Sequence, residues 1–311
     1  MTAGGLDELV SREAMGAYHE ALFFAQLAKT VELPQGYNTY QFTTVDSMTG
    51  SVASLTEGTV PTEVDFRLTG VDVALTGYGA WTKLSDKLLR GAPINAFTEA
   101  SKELGFDLAR KVDKVIQDTI DAGTNVIYST TEDASAGRTN IDDGDIFTAN
   151  LLAQAVAKLN KNSALKFGDF FMCVMHPDVW FDFVTQTGTG TFIDVNKYAK
   201  PDQIIKGEVG ALFGARIVVS PNVQLYANAS DGAGSTGTVD VYPTYVFGRD
   251  AFGVVTAGGM ETMIKGLGSG GTGDPLNQIA SVGAKTYMGT GIIREAGLYR
   301  IESSSSIGTN A

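Results

Sequence analysis

The chain has 311 residues, 43% of them apolar and 19% charged, and a net charge of −12. That length suits one large domain or two ordinary ones, and the apolar share is enough for a packed core. The acidic balance argues against gripping nucleic acid through a basic face, because phosphate contacts need clustered Lys and Arg.

The single cysteine, Cys173, excludes an intramolecular disulfide. With His19 and His176 the only histidines, little is available for a zinc site or a Cys–His nucleophile. The 37 glycines, about 12% of the 311 residues, exceed the usual level of roughly 7%. They punctuate short extended segments and predict many turns and strands. No run of about 18 apolar residues is present, so no membrane span is expected. The opening stretch MTAGGLDELVSREAM lacks a basic start followed by an apolar run, so no targeting signal is expected either.

Residues 6–31 are helix-prone. Leu6, Leu9, Val10, Met15, Tyr18, Leu22, Phe23 and Leu27 recur on one wide face, and PQG at 34–36 ends the pattern. This predicts a helical arm. Residues 37–86 read as extended chain: YNTYQFTTV, then TEVDFRL with Val64, Phe66 and Leu68 alternating, then VDVAL with Val71, Val73 and Leu75. Both faces of this ribbon are mixed and its apolar residues are sparse. EGTVP, Glu57 to Pro61, predicts a bend in it.

Residues 95–122 predict a long amphipathic helix, with Asn95 as N-cap and Gly123 as C-cap. Ala100, Leu104, Leu108, Val112, Val115, Thr119 and Ile120 form its apolar stripe. Lys102, Asp107, Arg110, Lys111, Asp113, Lys114 and Asp118 form the opposite face. TNVIYST then predicts a strand, FTANLLAQAVAKLNK a second amphipathic helix, FFMCVMHP a buried strand, and PDVWFDFVTQTG a helix opened by its proline. The last 70 residues or so read as strands and glycine turns.

Candidate chemistry is sparse. Gly266, Gly268 and Gly271 satisfy G-x-G-x-x-G, but TGDPLNQ follows instead of a helix start, so a flexible loop is expected. Asp142, Asp143 and Asp145 lack the alternating order of a calcium loop and read as capping and solvation before a helix. Cys173 is expected as a packed core thiol and His176 as a satisfied residue at a strand–helix junction. No catalytic, cofactor or metal residues are expected.

The order of elements resembles the major capsid proteins of tailed bacteriophages, which share a fold with herpesvirus capsid proteins, the Hong Kong phage-type capsid fold. LTEGTVPTE at 55–63 is similar to the Glu-Gly-x-x-Pro signature found after the extended loop in many of them. AGTNVIYS (122–129), MHPDV (175–179), FGRDAFGVV (247–255) and KGLGSGGTGDPLNQIASVG (265–283) resemble the N-four product fifty-six family of phage major capsid proteins. The resemblance implies an α+β fold with an N-terminal arm at 1–36, an extended β-hairpin loop at 37–86, and a peripheral domain with a spine helix at 87–124. An axial domain at 125–240 and return strands of the peripheral domain with the C-terminus at 241–311 complete it.

It further implies a non-enzymatic subunit, without cofactor or membrane contact, that self-assembles into hexamers and pentamers of an icosahedral shell around double-stranded DNA. The shell would assemble in the host cytoplasm and meet neighbouring capsomers and portal, scaffold and decoration proteins. The inter-subunit contact candidates are Leu55, Glu57, Pro61, Val64 and Phe66 on the ribbon and Leu22 and Phe23 on the arm. The alternatives are another self-assembling structural protein, such as a tail tube or surface layer, or a nucleotide-binding enzyme using the glycine loop.

Overall fold

A computed structural model of the chain describes residues 12–16, 18, 22–45, 54–55, 57–58, 60, 63, 66–91, 95–130, 137–186, 208–230, 239–269 and 274–307. In chain order these form helix α1 (Phe24–Leu27), strands β1 (Lys29–Glu32), β2 (Thr39–Val45), β3 (Leu68–Ala74) and β4 (Thr76–Ser85), helices α2 (Asp86–Gly91) and α3 (Ala96–Asp121), and strand β5 (Val126–Tyr128). Helix α4 (Ala149–Lys161), strand β6 (Phe171–Met175) and helix α5 (Pro177–Thr185) follow. Strands β7 (Glu208–Leu212), β8 (Ala215–Val219), β9 (Tyr226–Ser230), β10 (Val239–Phe247), β11 (Phe252–Thr256), β12 (Glu261–Lys265), β13 (Ile279–Ile292) and β14 (Leu298–Ser303) complete the fold.

The strands make three sheets. One holds β1, β11, β13, β12 and β4, a second β5, β14, β10, β6, β8, β7 and β9, and the third only β2 and β3. Long β13 is the organiser of the first sheet. It pairs with β4 from Ile279 to Met288, with β12 from Ser281 to Lys285 and with β11 from Met288 to Ile292.

The 26 residues of α3 span roughly 40 Å at 1.5 Å per residue and lie across this sheet. Leu108, Val112, Ile116 and Ile120 pack with Phe252, Val254, Ala284 and Met288. Burying each large apolar side chain contributes about 1.5–3 kcal/mol. Strand β6 is apolar throughout because its sheet is covered on both sides. Met172 and Val174 join the core beneath α3, while Phe171, Cys173 and Met175 join a second core with Leu152, Leu159 and Phe183 of α4 and α5.

Several expectations are corrected. The helical arm ends at Leu27, and Lys29–Glu32 is a strand running parallel to β11. Thr30 and Val31 are β-branched, and an available sheet edge overrides the helical spacing. Asn95 makes no side-chain cap bond, and α3 closes at Ala122 without a left-handed glycine. Gly123 is required for space instead: a Cβ there would stand 3.0 Å from Ile120 O and 3.2 Å from Glu295 Oε1. In TEVDFRL the ladder begins only at Leu68.

The largest correction is Asp113. Its predicted place on the solvent face is wrong, because it is only 1% exposed. Asp113, Gln117 and Asp121 stand four residues apart, so they share one face of α3, and each holds a different segment. Asp113 Oδ2 accepts from Phe23 N at 2.8 Å. Gln117 donates to Asn222 O at 2.8 Å and accepts from Gln224 N at 2.7 Å. Asp121 accepts from Tyr245 Oη at 2.8 Å and stands 3.6 Å from Arg300 Nη1.

Arg300 carries the chain of charges inward. Its Nε donates to Glu302 Oε1 at 2.7 Å, and Arg138 grips the same carboxylate through Nε at 2.8 Å and Nη2 at 2.7 Å. The Arg138 guanidinium also lies 3.7 Å from the centre of the Tyr226 ring. Glu302 is fully buried, so its charge depends on both arginines. Removing one member of such a cluster leaves uncompensated charge inside the protein. Glu302→Ala is expected to destabilise the unassembled subunit by about 3–5 kcal/mol, read by chemical denaturation. Lys285→Ala, which breaks only the exposed pair with Glu261 at 2.9 Å, should leave the midpoint unchanged.

Candidate assembly surface

Strands β2 and β3 form an antiparallel ribbon from Thr39↔Ala74 to Val45↔Leu68. Alternation should bury one face, yet only Phe42 and Val73 are buried along it. Both sit near the root, with Leu33, Val255 and Ile293. A two-stranded ribbon is marginal on its own, so the root depends on this seat.

Glycines make the seat possible. Gly253 and Gly291 are cross-strand partners, and Gly289 pairs with Val255 two residues along on the same face. A Cβ at Gly253 would lie 2.6 Å from the Phe42 ring, and one at Gly291 2.7 Å from Val73 Cγ2. A Cβ at Gly289 would stand 2.3 Å from the backbone oxygen of Ala74, which cannot swing aside. The sheet is therefore flat where the ribbon crosses it, and the crossing is set by backbone contact.

Beyond the root, described residues of the ribbon expose large apolar side chains. Leu55 is 80% exposed, Phe66 57% and Leu68 58%. Glu57 and Gly58 form a turn, with Gly58 at φ +79°, so the bend expected at EGTVP is present there. Pro61 and Val64 lie outside the described residues. The arm candidates behave differently: Leu22 and Phe23 pack against the chain's own core, and the Phe23 ring meets Phe24 edge-on at 5.2 Å.

Two more surfaces stand out. On the sheet face away from α3, Trp81 is 63% exposed and pairs with Gly283, which pairs with Met263. The glycine leaves a shallow groove between the two larger side chains, and Lys83 Nζ lies 5.2 Å from the Trp81 ring centre. Beside α3, a groove of about 380 Å³ is lined by Tyr78, Leu108, the carboxylate Asp107 and the cations Arg110, Lys111 and Lys114, a net positive wall.

The residues considered for chemistry are placed as follows. His176 Nδ1 accepts from Asp178 N at 3.3 Å and caps α5. Burial lowers its pKa, in keeping with a neutral ring that accepts. Cys173 is fully buried, which pushes its thiol pKa well up. The aspartates close their own turn instead of capping a helix: Asp145 Oδ2 accepts from Asp142 N at 3.0 Å, while Thr148 Oγ1 caps α4. Gly266 and Gly268 sit in a turn after β12, and the next described element is strand β13. The helix N-terminus that would cradle a pyrophosphate is not among the described residues. No group of three or more His, Cys, Asp or Glu that could hold a metal gathers among the described residues.

These elements define a structural subunit, one built around a rooted ribbon. Among solved structures the chain is similar to the capsid of Ralstonia phage GP4, with TM-score 0.70 and 11% identity over 94% of this chain and 93% of that one. It is similar to the cyanophage Pam1 capsid at TM-score 0.69 and 12% identity, over 94% and 93% of the two chains. It also matches the capsid of cyanophage P-SCSP1u at TM-score 0.65 and 17% identity, over 92% and 89%. The fold is that of phage capsid subunits.

The model of a family described as phage capsid protein matches residues 69–301, and the chain belongs to that family. It is a major capsid protein, a building block of the icosahedral phage shell. No curated protein matches the sequence.

Sequence reasoning missed the glycine seat and the polar stripe of α3. Asp113 carried a faint signal, since Ala109, Asp113, Ile116 and Ile120 follow one another at spacings of four, three and four. Gly289→Val is expected to leave the denaturation midpoint of the subunit within about 1–3 kcal/mol of wild type while tilting the ribbon off its seat. A distance measurement between spin labels at residues 45 and 290 should lengthen and broaden.

Proposed function

We propose that this subunit assembles as hexamers and pentamers into a closed shell around double-stranded DNA, and that it lies in the N-four product fifty-six branch of phage capsid proteins. Residues 1–36 are the arm, 37–86 the extended loop, 87–124 the peripheral domain with its spine helix, 125–240 the axial domain, and 241–311 the return to the peripheral domain. Thr76–Ser85, within the loop's span, also serves as a strand of the peripheral sheet. Assembly takes place in the host cytoplasm, with portal, scaffold and decoration proteins as further head components.

The observation that carries this reading is the ribbon. It is firmly rooted, yet its far end exposes Leu55, Phe66 and Leu68, and such an edge on a lone subunit invites aggregation. A neighbour's surface completes it. Residues 46–66 contain Asp46, Glu57, Glu63 and Asp65 and no Lys, Arg or His. The cationic groove of Arg110, Lys111 and Lys114 beside α3 is the complementary surface on the adjoining copy. Complementary charge steers partners and sets register more than it adds affinity.

Negative-stain microscopy of the purified protein should show capsomers or shells. A compact monomer at high concentration across salt and pH would overturn the assembly reading. The double variant Leu55→Ser, Phe66→Ser should keep the wild-type denaturation midpoint within about 0.5 kcal/mol, because neither side chain contributes to the core, and should fail to assemble. Loss of the folding transition instead would mean that the ribbon belongs to the subunit's own core.

A further inference from the structure

The arm is held on the body by two different devices. Downstream, β1 is laddered to β11 from Lys29↔Gly253 to Glu32↔Thr256. Upstream, the hold is apolar packing plus one carboxyl group. Ala14, Tyr18 and Phe24 pack with Leu108, Ala109, Val112 and Ile116, and the Phe24 ring meets Tyr245 edge-on at 5.8 Å. At the centre, Asp113 Oδ2 accepts a hydrogen bond from Phe23 N at 2.8 Å, and the amides of Phe24 and Ala25 lie close enough to favour its charged form.

The other oxygen of this carboxyl is the informative atom. Oδ1 of Asp113 is buried and has no hydrogen-bond partner among the described residues. A charged carboxylate has about four acceptor sites to satisfy, and a buried charge is costly unless it is paired. No ion pair to Asp113 is formed among the described residues. Among the described residues of the arm, the ionisable neighbour is Tyr18, whose hydroxyl bonds Thr286, and Glu32 lines the adjoining cavity. From the sheet, Val254, Thr286 and Met288 line that cavity and carry no charge. Arg110, Lys111 and Lys114 on α3 itself are exposed to solvent. Burial away from a charged partner disfavours the anion, the backbone amides favour it, and burial is the larger of the two effects.

We propose that Asp113 is a proton-linked latch for the N-terminal arm, seating Phe23–Ala25 on α3 in its protonated form and loosening them when it ionises. Burial raises the Asp113 pKa from 3.8 to about 6, against the opposing pull of the three amides. When the arm lifts away, the carboxyl meets water and its pKa falls back toward the ordinary value. The docked arm therefore binds the proton more tightly than the freed arm. By linkage, docking strengthens as pH falls from about 6 towards 3.8 and stays at its weaker level above 6. The direction is opposite to that of a carboxylate holding its partner through charge.

The latch rests on the fold of the subunit and not on the assembly reading, so the two fail separately. The test is hydrogen–deuterium exchange on the full chain, in whatever assembled form it is purified, followed in a peptide spanning residues 22–27. Rates are corrected for intrinsic exchange and referenced to a peptide from α4. Wild-type protection of the arm peptide should rise about tenfold from pH 7.5 to pH 5, while Asp113→Asn, which stays neutral, should be flat over that range. Equal pH profiles in the two proteins, or wild-type protection that grows with pH, would overturn the proposal. Should the variant not fold, the wild-type profile alone decides: flat or inverted protection between pH 7.5 and 5 is enough to reject it.

Discussion

One face of α3 does more than bury apolar surface: it binds backbone. Asp113, Gln117 and Asp121 occupy successive turns of the helix, and their polar atoms meet the arm, the loop at 222–224 and the strands β10 and β14. Apolar packing alone is nondirectional and would tolerate sliding. Hydrogen bonds to a particular amide or carbonyl do not, because their geometry fails within a few tenths of an ångström. The positions of the arm, the loop at 222–224 and the seven-stranded sheet relative to α3 follow from where these three side chains stand.

The same helix explains how one chain can be rigid and still present an interaction surface. The seven-stranded sheet is covered on both faces, and a chain of charges, Arg138–Glu302–Arg300–Asp121, ties it to α3. The five-stranded sheet is covered by α3 on one face and by the ribbon root on part of the other. What remains open is specific: the far end of the ribbon, the Trp81–Met263 groove, and the cationic flank of α3. A shell subunit needs this division, since each contact is repeated by symmetry and an error in its angle is repeated with it.

Glycine content, the oddest feature of the composition, has two separate causes. Some glycines take backbone conformations that other residues disfavour, as Gly58 and Gly268 do. Others are small because something lies on them. Gly253, Gly289 and Gly291 belong to the second kind, and they let a ribbon cross a sheet at backbone distance. Nothing in the sequence distinguishes the two kinds, because the second depends on what crosses overhead.

Local pattern determined a good deal. The period of apolar residues located α3 and α4, Pro177 after His176 opened α5 where a helix was expected, and the continuous apolar run of β6 announced a strand covered on both faces. The motifs scattered from the ribbon to β13 pointed to a capsid subunit, as the family match also does. These readings succeed because each depends on neighbours within a turn of helix or a few residues of strand. Tertiary structure alone decided the rest: that Lys29–Glu32 joins a sheet, that Asp113 faces inward, that Glu302 serves two arginines, and that Gly289 must have no side chain. Each of these depends on a partner at least 90 residues away along the chain, Arg138 in the case of Glu302. A short-range pattern carries no information about a contact whose other half is that distant.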